Sequence, residues 1–384
     1  MRDPRLDKLA DVLVNFSTRV KPGDLVAIAA EATAMPAIEA VAEAVLKAGG
    51  NPFWLPRSEQ LTEVLLTHGS DDQIRYCSPL MVETYKRIDV QISFWCQLNT
   101  KYLGQVDPKK AALLQQARRP WFKEFMGRSA TKELRWVGTA FPTNGSAQDA
   151  DMSLTQYEKF VFEACYLHLP DPVAKWKSIY ETQERVREFL QKKKSVRFRV
   201  PAVSGPGGHD GTDLTVNVDG STWINCFGES NFPDGEVFAG PKGVDGHVNY
   251  TYPAVYNGRE VEGVRLAFKG GRVVDASAKK NEEFLIKMLD QDAGARVLGE
   301  IAIGTNYAIT DYSKNTLFDE KIGGTFHAAV GSAYPETGGL NDSALHWDMV
   351  CDLRRGGQIF VDGELISENG RFLDPSWPAP EPSA

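Results

Sequence analysis

The first half of the chain alternates short apolar runs with stretches in which apolar residues recur every three or four positions. "DLVAIAA" (Asp24–Ala30) is a compact apolar run after the turn residues "KPG". Behind it, "MPAIEAVAEAVLKAGG" has the spacing of an amphipathic helix closed by glycine. The same alternation continues through the strand "PFWL" (Pro52–Leu55), helical stretches over 59–66 and 71–86, the strand "DVQISF" (Asp89–Phe94), a helix over 109–126 and the strand "LRWVG" (Leu134–Gly138). Strands separated by helices predict βαβ units, hence an α/β N-terminal domain built on a parallel sheet. No G-x-G-x-x-G or P-loop pattern follows any of these strands, so no nucleotide site is signalled. Two more helical stretches follow, "TQYEKFVFEACYL" and "PVAKWKSIYETQERVREFLQKKKS". The second ends in a basic cluster suited to a helix C-terminus and reads as a bridge between domains.

From Val196 the period shortens to two. "VRFRV", "DLTVNV", "STWINCF", "REVEGVRLAFKGGRVVDASA" and "QIFVDGELI" are alternating strands separated by Gly-Gly, Asn-Gly and Asp-Gly turns, and one helix over 280–291 interrupts them. This predicts an α+β C-terminal domain rich in antiparallel strands, with a division into 1–195 and 196–384. The Pro-rich end, "DPSWPAPEPSA", reads as a loose terminus.

Composition sharpens this picture. A chain of 384 residues exceeds what one core usually serves, and 42% apolar with 24% charged residues is ordinary for a globular protein. A formal charge of −8 argues against nucleic acid or an anionic membrane as partner and favours a small molecule or peptide. The five cysteines, Cys77, Cys96, Cys165, Cys226 and Cys351, are scattered and include no C-x-x-C pair. Neither a disulfide framework nor a zinc knuckle is suggested, which points to a reducing cytoplasm. No apolar stretch is long enough for a membrane span, and "MRDPRLDKLADVLVNF" lacks the apolar run of a signal peptide.

The candidate chemistry lies in the second half, where acids and histidines sit at strand ends and in Gly-rich loops. Glu236 lies in "NFPDGEVFAGP", Glu300 in "LGEIAIGTN", Glu320 in "NTLFDEKIGG", His327 and Tyr334 in "FHAAVGSAY", and His346 with Asp348 in "ALHWDMV". Alternation along a strand sends the His346 and Asp348 side chains to one face and Trp347 to the other. Nitrogen and carboxylate donors without thiolates suit zinc, cobalt, manganese or iron(II). The donors outnumber the needs of one ion and would serve two ions about 3.5–4 Å apart. Singly, each residue has an ordinary reading: Glu300 as a solvated strand end, Glu320 as a helix N-terminal acid, His327 as a satisfied core histidine, Tyr334 as a packed ring. His68, His168, His209 and His247 stay outside the candidate set.

Together with "GTDLTVNV" (Gly211–Val218), the stretches "NFPDGEVFAGP", "LGEIAIGTN", "NTLFDEKIGGTFHAAVGSAYPETGG" and "SALHWDMV" resemble the aminopeptidase T and aminopeptidase S family of thermophile-type metalloaminopeptidases. The resemblance covers the second half motif by motif and the first half in layout. It implies an exopeptidase that removes residues from peptides with a free N-terminus, acts as a homodimer and uses two divalent ions, zinc, cobalt, manganese or magnesium. Carried over residue by residue, it implies Glu236, Glu300, Glu320, His327, His346 and Asp348 as metal ligands, with Glu300 as base or bridging ligand and Tyr334 beside the metals as oxyanion donor. The rival reading is an iron(II) dioxygenase opening dihydroxypyridine rings, for which His327, His346 and Asp348 alone would supply a facial triad. The three glutamates favour the peptidase.

Overall fold

The run Leu25–Ala30 forms a strand whose residues from Val26 to Ala30 are all buried, as a strand covered on both faces requires. In the computed structural model, which describes residues 2–205, 208–256 and 258–381, this strand pairs in parallel with Asn51–Pro56 on one side and Val90–Trp95 on the other. Arg135–Ala140 continues the parallel sheet beyond Val90–Trp95. The helix Met35–Lys47 between the first two strands buries Ala37, Ile38, Val41 and Val45, the three-and-four spacing legible in the sequence.

Within this region two details depart from the sequence reading. The helical stretch expected over 71–86 is two helices, Asp71–Arg75 and Pro79–Arg87. Pro79 is the cause, because its ring excludes the preceding residue from helical geometry, and Ser78 is extended at φ −60°, ψ 125°. The sheet also has a fifth strand that sequence reasoning missed. Asn231–Phe232 pairs in parallel with Gly138 and Thr139, too short a segment to show any periodicity.

The chain divides into two compact units, one made of residues 1–173 with Gly228–Phe232, the other of Ala174–Phe227 with residues 233–384. The chain first passes from one unit to the other at 173/174. The helix read as a bridge, Pro172–Leu190, lies almost wholly in the second unit, where Val186 and Leu190 join the core.

The second unit contains an eight-stranded and a five-stranded sheet, whose named strand pairs are all antiparallel. In the five-stranded sheet the order is His346–Asp352, Thr325–Gly331, Leu298–Gly304, Glu236–Ala239, Trp223–Cys226. One face of it enters the core through Val237, Ala239, Ile301, Ile303, Phe326, Ala328, Val330, Trp347 and Met349. Phe326 stacks on Phe198 of the other sheet at 4.1 Å between centroids. The Pro-rich end is pinned rather than loose as far as Trp377, which is buried and packs on Phe189 at 5.0 Å and Phe372 at 5.3 Å. Its large apolar ring outweighs the surrounding prolines. Residues 382–384 of that stretch lie outside the described residues.

A β-bulge decides which face Glu300 joins. Leu298, Ile301 and Ile303 all face the core, although strict alternation from Leu298 would send Glu300 there too. The register slips between Leu298 and Glu300, and Glu300 emerges on the opposite face. Gly299 makes this possible, since a Cβ there would lie 2.5 Å from the carbonyl oxygens of Gly331 and Ser332. Gly299→Ala is expected to lower stability by about 1–3 kcal/mol in urea unfolding, the usual range for overpacking; an unchanged midpoint would show that the bulge accepts a side chain.

Candidate metal centre

The face of the five-stranded sheet turned away from the core carries the acids and imidazoles. Antiparallel register sets Glu300, Ala329 and Asp348 side by side on three neighbouring strands. Gly331 pairs with His346, and Ala302 stands between Phe238 and His327. Ala302 and Ala329 keep the middle of this face low, so the longer side chains around them converge. Gly331 serves the same edge, because at φ +105° its Cβ would lie 2.1 Å from the Leu345 carbonyl oxygen. Glu320 arrives from outside the sheet, directly after the short helix Thr316–Asp319.

Both imidazoles are oriented by the backbone. His327 Nδ1 lies 2.9 Å from the Glu320 carbonyl oxygen and His346 Nδ1 lies 2.8 Å from that of Ser332. A carbonyl only accepts, so each Nδ1 carries the proton and donates it, leaving Nε2 to face the acids. His327 Nε2 is 3.3 Å from Glu300 Oε1, 3.5 Å from Glu236 Oε2 and 3.8 Å from Asp348 Oδ1. His346 Nε2 is 3.4 Å from both Glu300 Oε2 and Asp348 Oδ2. Glu300 and Asp348 thus each present one oxygen to each imidazole.

All six expected ligand residues meet here, in three overlapping groups: Glu236 with Glu300 and His327, Glu300 with His346 and Asp348, and Glu320 with His327 and Asp348. Within each group the donor atoms lie within 4.8 Å of one another. Tyr334 lies at the edge, 42% exposed, with its ring 5.2 Å from that of His346 and 5.5 Å from that of Phe238. Three of the other four histidines stand elsewhere in their own contacts: Gly211 N–H donates to His209 Nδ1, His247 Nε2 lies 3.6 Å from Asp210, and His168 packs against Tyr166.

The electrostatics are those of a cation site. Burial pushes the carboxyls of Glu236, Glu300 and Glu320 above the usual range, against the pull of Lys321 on Glu236 and Glu320 and of His327 on Glu300. Burial also acts upward on Asp348, but His346 and then His327 outweigh it and hold that group low. Burial would depress both imidazoles; instead Glu300 beside His327 and Asp348 beside His346 push them up to about 10. The Tyr334 phenol is pushed up by burial and by Glu300, Asp348, Glu320 and Glu236. Divalent ions fit this donor set, because among the described residues Glu236 Oε2 and Asp348 Oδ1 are buried acceptors without a hydrogen-bond donor.

Comparison with known proteins agrees with this chemistry. A family model described as thermophilic metalloprotease (M29) matches residues 2–372. The chain belongs to the thermophilic metalloprotease (M29) family. It is thus a metal-dependent hydrolase. Aminopeptidase 2 of Geobacillus stearothermophilus is 28% identical over 96% of this chain and 95% of its own length. Among solved structures, wild-type AmpT from Thermus thermophilus shares the fold at TM-score 0.83 and 23% identity, over 97% of this chain and 99% of that one. The 2,5-dihydroxypyridine dioxygenase of Pseudomonas putida KT2440 shares it more distantly, at TM-score 0.57 and 14% identity over 96% and 97% of the two chains. At such identities the structural likeness concerns the fold alone.

Sequence reasoning missed Lys321, which is fully buried, touches Glu320 Oε1 and lies 3.6 Å from Glu236 Oε1. A lysine inside "FDEKIGG" carries no mark of burial, since lysines following acids usually face solvent. It also missed Ala329, whose importance lies in its smallness. Ala329→Val, adding two methyls between Glu300 and Asp348, is expected to cut bound divalent metal to well under half of the wild-type content while the far-ultraviolet circular dichroism stays unchanged; full metal content would show that the space there is not needed.

Proposed function

We propose that the protein is a two-metal aminopeptidase that hydrolyses the first peptide bond of substrates with a free N-terminus. In this reading Glu236, Glu300, Glu320, His327, His346 and Asp348 hold two divalent ions, zinc, cobalt, manganese or magnesium. The observation that carries it is the double reach of Glu300 and Asp348, each with one oxygen toward each imidazole. That arrangement suits a donor set spread over two ions, and the aminopeptidase name of a relative matched along nearly its whole length supports the reaction class. Bound ions would supply Lewis acidity toward the scissile carbonyl and lower the pKa of a water to about 7.

The chain's own side chains then do the rest. Glu300, central and facing both imidazoles, would hold an ion through one oxygen and with the other accept the proton of the attacking water and return it to the leaving amine. Tyr334 donates a hydrogen bond from its hydroxyl to the oxyanion as the carbonyl becomes tetrahedral. The acidic face meets the substrate's α-amine. We place the enzyme in the cytoplasm, as the scattered cysteines without a C-x-x-C pair suggest. We take it to act as a homodimer, as the family resemblance implies.

An iron(II) dioxygenase would need only His327, His346 and Asp348. Against it, Glu236, Glu300 and Glu320 converge on the same space, which one ion with positions open for oxygen would not need. Metal analysis joined to a panel of aminoacyl-p-nitroanilides separates the readings. The expected result is about two divalent ions per chain and hydrolysis that proceeds without oxygen, stops on chelation and does not occur on N-acetylated substrates. One iron per chain with oxygen uptake would favour the dioxygenase. Glu300→Gln is expected to lower kcat by about 10²–10⁴-fold, the range for loss of a general base, with the melting temperature little changed; a near wild-type rate would remove Glu300 from that role.

A further inference from the structure

The donor cluster is lopsided. On the side of Glu300, His346 and Asp348, only imidazoles come within ion-pair distance of the two carboxylates among the described residues. On the side of Glu236 and Glu320 stands Lys321, wholly enclosed, in contact with Glu320 Oε1 and 3.6 Å from Glu236 Oε1. Asp234 faces the same ammonium. A lysine taken completely out of water needs such acids around it, and it holds them in return, fixing one oxygen of Glu320, while among the described residues Glu236 Oε2 has no hydrogen bond. Like charges at close range in a buried site repel strongly. An ion held through Glu236 with Glu300 and His327, or through Glu320 with His327 and Asp348, meets a fixed positive charge beside its carboxylate that an ion held by Glu300, His346 and Asp348 does not.

We propose that Lys321 is a positioning residue that stabilises the ion-free cluster and makes the Glu236–Glu320 side the weaker, exchangeable ion position. The inference rests on the two-ion reading above. It gives the ammonium two roles in one contact. Without ions it offsets part of the repulsion among Glu236, Glu320 and their neighbours, and with ions it competes for the same oxygens. The enzyme would hold one ion firmly and take up the other according to supply.

The test is calorimetric titration of chelator-stripped protein with Co²⁺, in the wild type and in Lys321→Met, Lys321→Gln and Lys321→Arg, together with melting of the ion-free and loaded forms. The wild type is expected to bind a tight ion and then a weaker one. Lys321→Met and Lys321→Gln should bind the second ion at least tenfold more tightly and melt lower than the wild type only when ion-free. Lys321→Arg, which keeps the charge, should restore the wild-type isotherm. A second-ion affinity within twofold of wild type in both neutral variants overturns the proposal. If the neutral variants fold only when loaded, release of the second ion to a chelator is followed instead; slower release than wild type supports the proposal, and equal or faster release overturns it. A wild-type chain that takes up a single ion overturns the two-ion reading alone, and the lysine inference then stands or falls on whether Lys321→Met takes up more than one.

Discussion

Mutual repulsion among Glu236, Glu300, Glu320 and Asp348 is the force the second unit must contain. Taking carboxylates out of water is unfavourable by several kcal/mol per ion even after relaxation, and here Glu236, Glu300 and Asp348 crowd one sheet face while Glu320 reaches the same imidazole from beyond it. The opposite face of the same sheet supplies the compensation. Phe326, Trp347, Val330 and Ile301 are buried in a continuous core shared with the eight-stranded sheet, and that apolar burial holds the strands in register whatever the acids prefer. Trp347 stands between His346 and Asp348 in sequence, so the residue that anchors the strand and the residues that do the chemistry are immediate neighbours pointing opposite ways.

Orientation then comes from the backbone rather than from other side chains. The carbonyls of Glu320 and Ser332 fix the protonated nitrogen of His327 and His346, and both carbonyls belong to loops flanking the Thr325–Gly331 strand. A loop carbonyl cannot rotate away as a carboxylate can, so the imidazoles present Nε2 before any ion arrives. The site is organised in advance by peptide groups, and the acids adjust around it.

Much of this was legible in the sequence because alternation is a strict rule. His-x-Asp in "ALHWDMV" had to place both donors on one face, and the two-residue period after Val196 announced antiparallel strands. Glu300 was a different matter: its face depends on the bulge at Gly299, and a strict count from Leu298 would have buried it in the core. Lys321 was illegible for the opposite reason, since nothing local separates a buried lysine from a solvated one until the acids that neutralise it are assembled from distant segments. The break at Ser78 was readable in principle from Pro79. The Asn231–Phe232 strand was not, because two residues carry no period.

That two-residue strand has a further consequence for how the chain is divided. Gly228–Phe232 belongs to the first unit although the chain on either side of it, Ala174–Phe227 and the residues from Pro233 onward, belongs to the second. The polypeptide therefore passes between the units three times rather than once, and the last passage occurs only four residues before Glu236. No single cut in the gene yields both units whole: a fragment ending near residue 173 loses an edge strand of its sheet, and a fragment beginning there carries a strand whose sheet is missing. In evolutionary terms the two units are interleaved, so neither could have been shuffled in or out as one contiguous cassette.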